Sequence, residues 1–121
     1  LNESIDIGQI EGGFVQGLGW LTCEELCFSQ EGKLLTTGPS TYKLPGSRDI
    51  PKVFNVKLLE NADNEEKTIF RSKAVGEPPL LLAISHFLAL KEAIKVSSEE
   101  SKPELLNSPA TPSEILRVLK A

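Results

Sequence analysis

Glu77 stands between Gly76 and the pair Pro78-Pro79. A residue that precedes proline is driven to extended backbone, so the spacing predicts that Glu77 lies just outside a helix that the prolines open. Its carboxylate would then sit near a helix N-terminus, where the dipole favours negative charge. Burial would push its pKa in the opposite direction. A carboxylate under these opposed influences, on a rigid mount, suits general-base chemistry. The same residue would equally serve as an acidic cap on a buried helix, with no chemistry at all.

Two glutamines come next. An amide donates and accepts at once, so Gln9 or Gln16 could orient a group that offers both functions. Gln9 lies among the glycines of the first turns, and its plainer role is as a capping-box partner of Asp6; the plainer role of Gln16 is a solvated helix face. Tyr42, Lys43 and Arg48 could line a pocket for an anionic or aromatic group, or simply face water. His86 falls within an apolar helical turn and reads as structural. Cys23 and Cys27 would share one face of a helix. With no second pair, they read as two buried free thiols rather than half of a zinc or iron–sulfur site. Gly17-Leu18-Gly19 lacks the third glycine and the preceding strand of a dinucleotide fingerprint.

The elements that must position these groups follow from periodicity. Asp6 with Gln9 signals a helix start, and Ile10, Phe14, Leu18 and Leu21 carry helical spacing as far as Leu26. Gly8, Gly12, Gly13, Gly17 and Gly19 lie in or beside this stretch. Each interior glycine costs a helix about 1 kcal/mol relative to alanine, so the helix must gain close approach to another backbone or to a flat ligand. Ser29 to Gly32 reads as a turn, Lys33 to Thr37 as a short strand, and residues 38–51 as an irregular loop. Val53 to Leu59 alternates as a half-buried strand does, Asn61 to Lys67 is a charged turn, and Thr68 to Arg71 is a last short strand. Pro79 to Lys95 reads as a helix apolar almost all round near its start, hence buried. Val96 to Lys102 is a polar linker. Thr111-Pro112-Ser113-Glu114 signals a final short helix to about Leu119. The expected architecture is α+β, helices packed on a small mixed sheet, in a single incomplete domain spanning 1–121.

Bulk properties exclude several classes. A net charge of -4 argues against a nucleic-acid binder, and 40% hydrophobic with 25% charged residues is ordinary for a globular protein. No apolar run approaches the roughly 20 residues of a membrane span, and the first residues do not read as a signal peptide. Starting on Leu1, the chain reads as a piece of a longer protein, and reduced thiols favour the cytoplasm.

Three blocks together resemble the xanthine dehydrogenase/aldehyde oxidase family of molybdenum hydroxylases: Asp6-Ile7-Gly8-Gln9-Ile10-Glu11-Gly12-Gly13-Phe14-Val15-Gln16-Gly17, Gly38-Pro39-Ser40-Thr41-Tyr42-Lys43-Leu44-Pro45, and Ser72-Lys73-Ala74-Val75-Gly76-Glu77-Pro78-Pro79. They occur in the family's order and with about its spacing. The resemblance covers Ile5 to Lys95 and extends to Ser108-Pro109-Ala110-Thr111-Pro112, and the second and third blocks look closer to xanthine dehydrogenases than to aldehyde oxidases. The resemblance implies the C-terminal part of a molybdopterin-binding unit. Glu77 matches the family's catalytic glutamate beside the molybdenum, the base that activates the attacking oxygen. Gln9 matches a glutamine that hydrogen-bonds the molybdopterin assembly, and Gly8, Gly12 and Lys73 are expected at the same cofactor. No metal is held by protein side chains here. The implied partners are the remainder of the molybdenum unit, [2Fe-2S] and FAD domains or subunits, a purine or N-heterocycle substrate, and a second copy in a homo-oligomer. The implied reaction is oxidative hydroxylation of hypoxanthine and xanthine to urate, with this piece alone inactive. The alternatives are a non-catalytic assembly module of the same ancestry and an aldehyde or N-heterocycle oxidase.

Overall fold

The computed structural model describes residues 2–61, 64–73 and 78–120. Its longest element, α1, runs Glu3–Thr22, and its cap is Asn2, not Asp6. Asn2 has extended backbone, and its Oδ1 accepts from the N–H of Ile5 at 3.3 Å. Asparagine is among the best N-cap residues, and using it adds a full turn before the expected start. The helix also stops earlier than its apolar spacing suggests. Cys23 is the C-cap, so Cys23 and Cys27 do not share a helical face; Cys23 is half-buried and Cys27 exposed, both free thiols.

The expected mixed sheet is absent among the described residues. Strand pairing is confined to one isolated antiparallel bridge, Phe28 with Leu34. It closes a small hairpin in which Ser29 N–H donates to Lys33 O and Leu35 N–H to Cys27 O, each at 2.8 Å. Gly32 supplies the turn's left-handed residue, φ 79°. The alternation over 53–59 is nevertheless real at the level of burial: Phe54, Val56 and Leu58 are half-buried, while Val53, Asn55 and Lys57 are exposed. A strand exists only through a partner, and no described segment pairs with this one. Thr68 to Arg71 is not a strand either. Ile69–Arg71 forms a 3-10 turn with Phe70 and Arg71 at φ 51° and 53°, outside the range of extended chain. The molecule is therefore helical with long irregular connections, and the α+β expectation is corrected.

The apolar stretch after the prolines is two helices. Helix α2, Pro78–Leu81, and α3, Ile84–Ser97, are joined by a tightened turn in which Leu82 N–H bonds Pro79 O and Ala83 N–H bonds Leu80 O. These i to i−3 bonds overwind the chain and re-aim α3. α3 continues into the expected polar linker as far as Ser97. A short 3-10 turn, Pro103–Leu105, leads to α4, Pro112–Leu119, where Thr111 Oγ1 accepts from Glu114 N–H as its motif anticipates. The Glu114 carboxylate does not complete the box; it accepts from Asn107 N–H at 2.8 Å and pairs with Arg117.

The core is small. Ile94, Leu106, Ala110 and Val118 are buried together, with Phe87, Leu90, Ile115 and Leu119 packed around them. Of the apolar run that opens α2 and α3, Ala83 is fully buried, but Leu81 and Leu82 are more than 60% exposed. The expectation of a buried helix thus fails within this chain. The total accessible surface is 9442 Å², against about 6,400 Å² for a self-contained folded protein of this mass. The excess reflects the long irregular connections and the many exposed large apolar side chains.

Candidate cofactor-facing site

The glycines of α1 divide by what stands beside them. A Cβ at Gly17 would collide with the carbonyl oxygen of Leu80 and come within 2.9 Å of Ala83 Cβ, and one at Gly13 would come within 3.2 Å of Pro79 Cβ. A Cβ at Gly19 would meet the Glu24 carboxylate and lie 2.7 Å from Pro45. These three positions explain their lost helix propensity by close approach: of backbone at Gly17, of the Pro79 ring and Leu80 N at Gly13, and of side chains at Gly19. Gly8 and Gly12 are different: among the described residues nothing lies within 4 Å of where their Cβ would be.

At 100° per residue, Gly8, Gly12, Gln16 and Gln9 fall within an arc of about 100° on α1. All four are exposed, as are Ile5 and Trp20 on the same side. The Gln9 side chain makes no hydrogen bond among the described residues, so it is not a capping-box partner. This face is flat, amide-bearing and bare, and a planar group could lie against the backbone at Gly8 and Gly12 with Gln9 donating and accepting at its edge. The residues present fit a pterin-type cofactor in that respect. Lys73 is exposed and follows a turn in which Ser72 O accepts from Thr68 Oγ1 at 2.7 Å; no described contact joins it to α1. Glu77 lies outside the described residues. Its sequence neighbour Pro78 begins the turn that Gly13 and Gly17 admit against α1.

The loop over 38–51 is built rather than loose. Tyr42 Oη donates to Glu24 Oε2 at 2.6 Å, and this bond raises the phenol's pKa above its usual value. Asp49 accepts from Gly46 N–H at 2.8 Å and pairs with Lys43 Nζ at 3.3 Å, which lowers its carboxyl pKa in that order of cause. So Tyr42 ties the loop to Glu24 and Lys43 pairs within it, while Arg48 is exposed. His86 is half-buried and lines a cavity of about 690 Å³ between Leu18, Pro45, Leu90 and Ile115. That cavity is bordered by the far end of α1, away from Gly8, Gln9 and Gly12. Glu24 was not singled out from sequence; it holds Tyr42 across 18 positions of the chain, and no periodicity marks such a pair. Among the described residues no three His, Cys, Asp or Glu side chains cluster as a metal site, and no helix is long and apolar enough to cross a membrane.

Two segments thus converge on α1, the Tyr42–Pro45 loop at Gly19 and the Pro78–Leu81 turn at Gly13 and Gly17. Residues 1–51 match the family model described as a molybdopterin cofactor-binding domain. Over 118 residues the chain is 55% identical to the xanthine dehydrogenase/oxidase of Gallus gallus, and over 121 residues 54% identical to that of Felis catus; each comparison covers 95% of this chain and 9% of the relative. The xanthine dehydrogenase 2 of Arabidopsis thaliana is 50% identical, with the same coverage. The chain belongs to the xanthine dehydrogenase family, and it spans about a tenth of the length of the relatives it matches.

Proposed function

We propose that this segment supplies the general base and part of the cofactor wall of a molybdenum hydroxylase that oxidises purines, hypoxanthine and xanthine to urate. The observation that carries the reading is the bare Gly8–Gln9–Gly12 face, in a chain more than half identical to proteins named xanthine dehydrogenase/oxidase. When bound, a molybdopterin-held molybdenum supplies the transferred oxygen and takes up the substrate's electrons. Gly8 and Gly12 let that group approach the helix backbone, Gln9 fixes its orientation through paired donor and acceptor, and Lys73 offers a cation to its anionic parts. Glu77 takes the proton from the attacking oxygen, the work of a positioned carboxylate. [2Fe-2S] and FAD units beyond this chain carry the electrons onward, and the remainder of the molybdenum unit covers the surface left open here. Two free thiols, Cys23 and Cys27, support the reading of a cytoplasmic enzyme.

The test is Glu77→Gln in the full-length enzyme. Hydroxylation should fall by about 10²- to 10⁴-fold, the usual share of a general base, while molybdenum content is unchanged. Retained turnover would remove Glu77 from the role. Loss of molybdenum together with activity would make it a cofactor-holding residue instead.

A further inference from the structure

We infer that Gly17, supported by Gly13, is a positioning residue for the reaction: its missing side chain sets the depth at which the Pro78–Leu81 turn seats on α1, and so the point from which the chain carries the proposed base, Glu77. The inference rests on the reading of Glu77 as that base.

The contact at Gly17 is with main chain. Its nearest neighbour is the Leu80 carbonyl oxygen, and the next is the Cβ of Ala83, a residue with no exposed surface. Neither can swing aside as the end of a long side chain could. An alanine at 17 therefore has to push α2 and the Leu82–Ala83 turn away from α1. Gly13 sits one turn earlier against Pro79, with Leu80 N at 3.6 Å. There an alanine asks for a shift of only a few tenths of an ångström. Two glycines four residues apart thus face two consecutive prolyl and leucyl positions of one short turn, and that turn follows Glu77 directly in the chain. The displacement has few other outlets, because Ala83, which leads directly into α3, is fully buried where it meets Gly17. A misplacement of about 1 Å in a catalytic group is worth up to about 10²-fold in rate.

The experiment uses the full-length enzyme carrying Gly17→Ala, Gly13→Ala or, as a control for simple destabilisation, Val118→Ala in the separate core. Turnover is measured per bound molybdenum across pH. Gly17→Ala should lower kcat about 10- to 100-fold, leave KM within about twofold, and move the acid limb of the kcat profile because the base has left its setting. Gly13→Ala should do the same more weakly. Val118→Ala should lower thermal stability with kcat per molybdenum and the pH profile unchanged. A wild-type profile in both glycine variants overturns the inference, as does a loss that Val118→Ala reproduces. Should Gly17→Ala yield no folded enzyme, Gly13→Ala decides by the same readout. An active Glu77→Gln enzyme overturns this inference along with the reading beneath it, whereas an inactive one beside normal glycine variants overturns only the inference.

Discussion

The hydroxyl of Tyr42 donates to Glu24 Oε2 at 2.6 Å, joining the centre of an irregular loop to the chain just past the end of α1. Gly19 makes this possible by leaving room for both the Glu24 carboxylate and Pro45. Tyr42→Phe should loosen residues 38–51, seen as faster amide exchange there with α4 unaffected. The pH dependence follows from the raised phenol pKa. The bond is fully present below about pH 10, the ordinary tyrosine value, and is lost as pH rises through the higher folded value. The difference in Tm between wild type and Tyr42→Phe should hold constant up to about pH 10 and shrink above it. A difference that grows with alkali would contradict the assignment.

Glu114 offers the acid counterpart. Hydrogen bonds from Arg117, then from Asn107 N–H, bring its pKa from an ordinary 4.5 down to about 2. A depressed folded pKa stabilises the fold above the unfolded value and loses that stability as pH falls through the folded one. Tm should thus drop as pH goes from 4.5 to about 2, and Glu114→Gln should flatten that part of the curve. An unchanged slope in the variant would show that other carboxylates control the acid limb.

Glycines on opposite sides of α1 should respond with opposite signs. Gly12→Ala meets open space and should stabilise the isolated chain by about 0.5–1 kcal/mol through helix propensity alone. Gly17→Ala should destabilise it by about 1–3 kcal/mol through overpacking. Denaturant unfolding measures both. In the full-length enzyme Gly12→Ala should also lower molybdenum content, since the added methyl stands where we place the cofactor; full occupancy would move the cofactor off this face.

The two sides of α3 should differ in the same way. Ile94 is buried, and Ile94→Ala should cost about 2–5 kcal/mol. Leu88 is exposed, and Leu88→Ala should stay within about 0.5 kcal/mol in the isolated chain. If the rest of the parent protein covers that face, the same Leu88 substitution becomes a core deletion there and approaches the cost of Ile94→Ala. Thermal melts of both variants in both contexts decide it.

Local chemistry was legible in the sequence wherever a few adjacent residues settle it. The Thr111 cap, the turn at Ser29–Gly32 and the helical start at the prolines are of this kind, whereas the break of that helix at Leu82–Ala83 is not. The start of α1 was misplaced because Asp6 and Asn2 both offer a cap, and the backbone uses the earlier one. The mixed sheet was read from a true alternation at 53–59, but period-two burial reports a surface on one side and not a hydrogen-bonded neighbour. At the candidate site, the residue types and the glycine surplus were visible, while their division into Gly13, Gly17 and Gly19 against close neighbours and Gly8 and Gly12 with none among the described residues was not. At Gly13 and Gly17 that division depends on contacts between positions more than 60 residues apart, such as Gly17 with Leu80.

The last turn of α1 bonds to the far end of the chain: Ala110 N–H donates to Leu21 O at 2.7 Å and Ser108 Oγ donates to Trp20 O at 3.3 Å. During synthesis on the ribosome, α1 emerges almost ninety residues before the groups that satisfy those carbonyls. The segment therefore cannot finish folding stepwise as it is made. Its closing contacts wait for the final stretch, and until then the carbonyls of Trp20 and Leu21 are without these two donors.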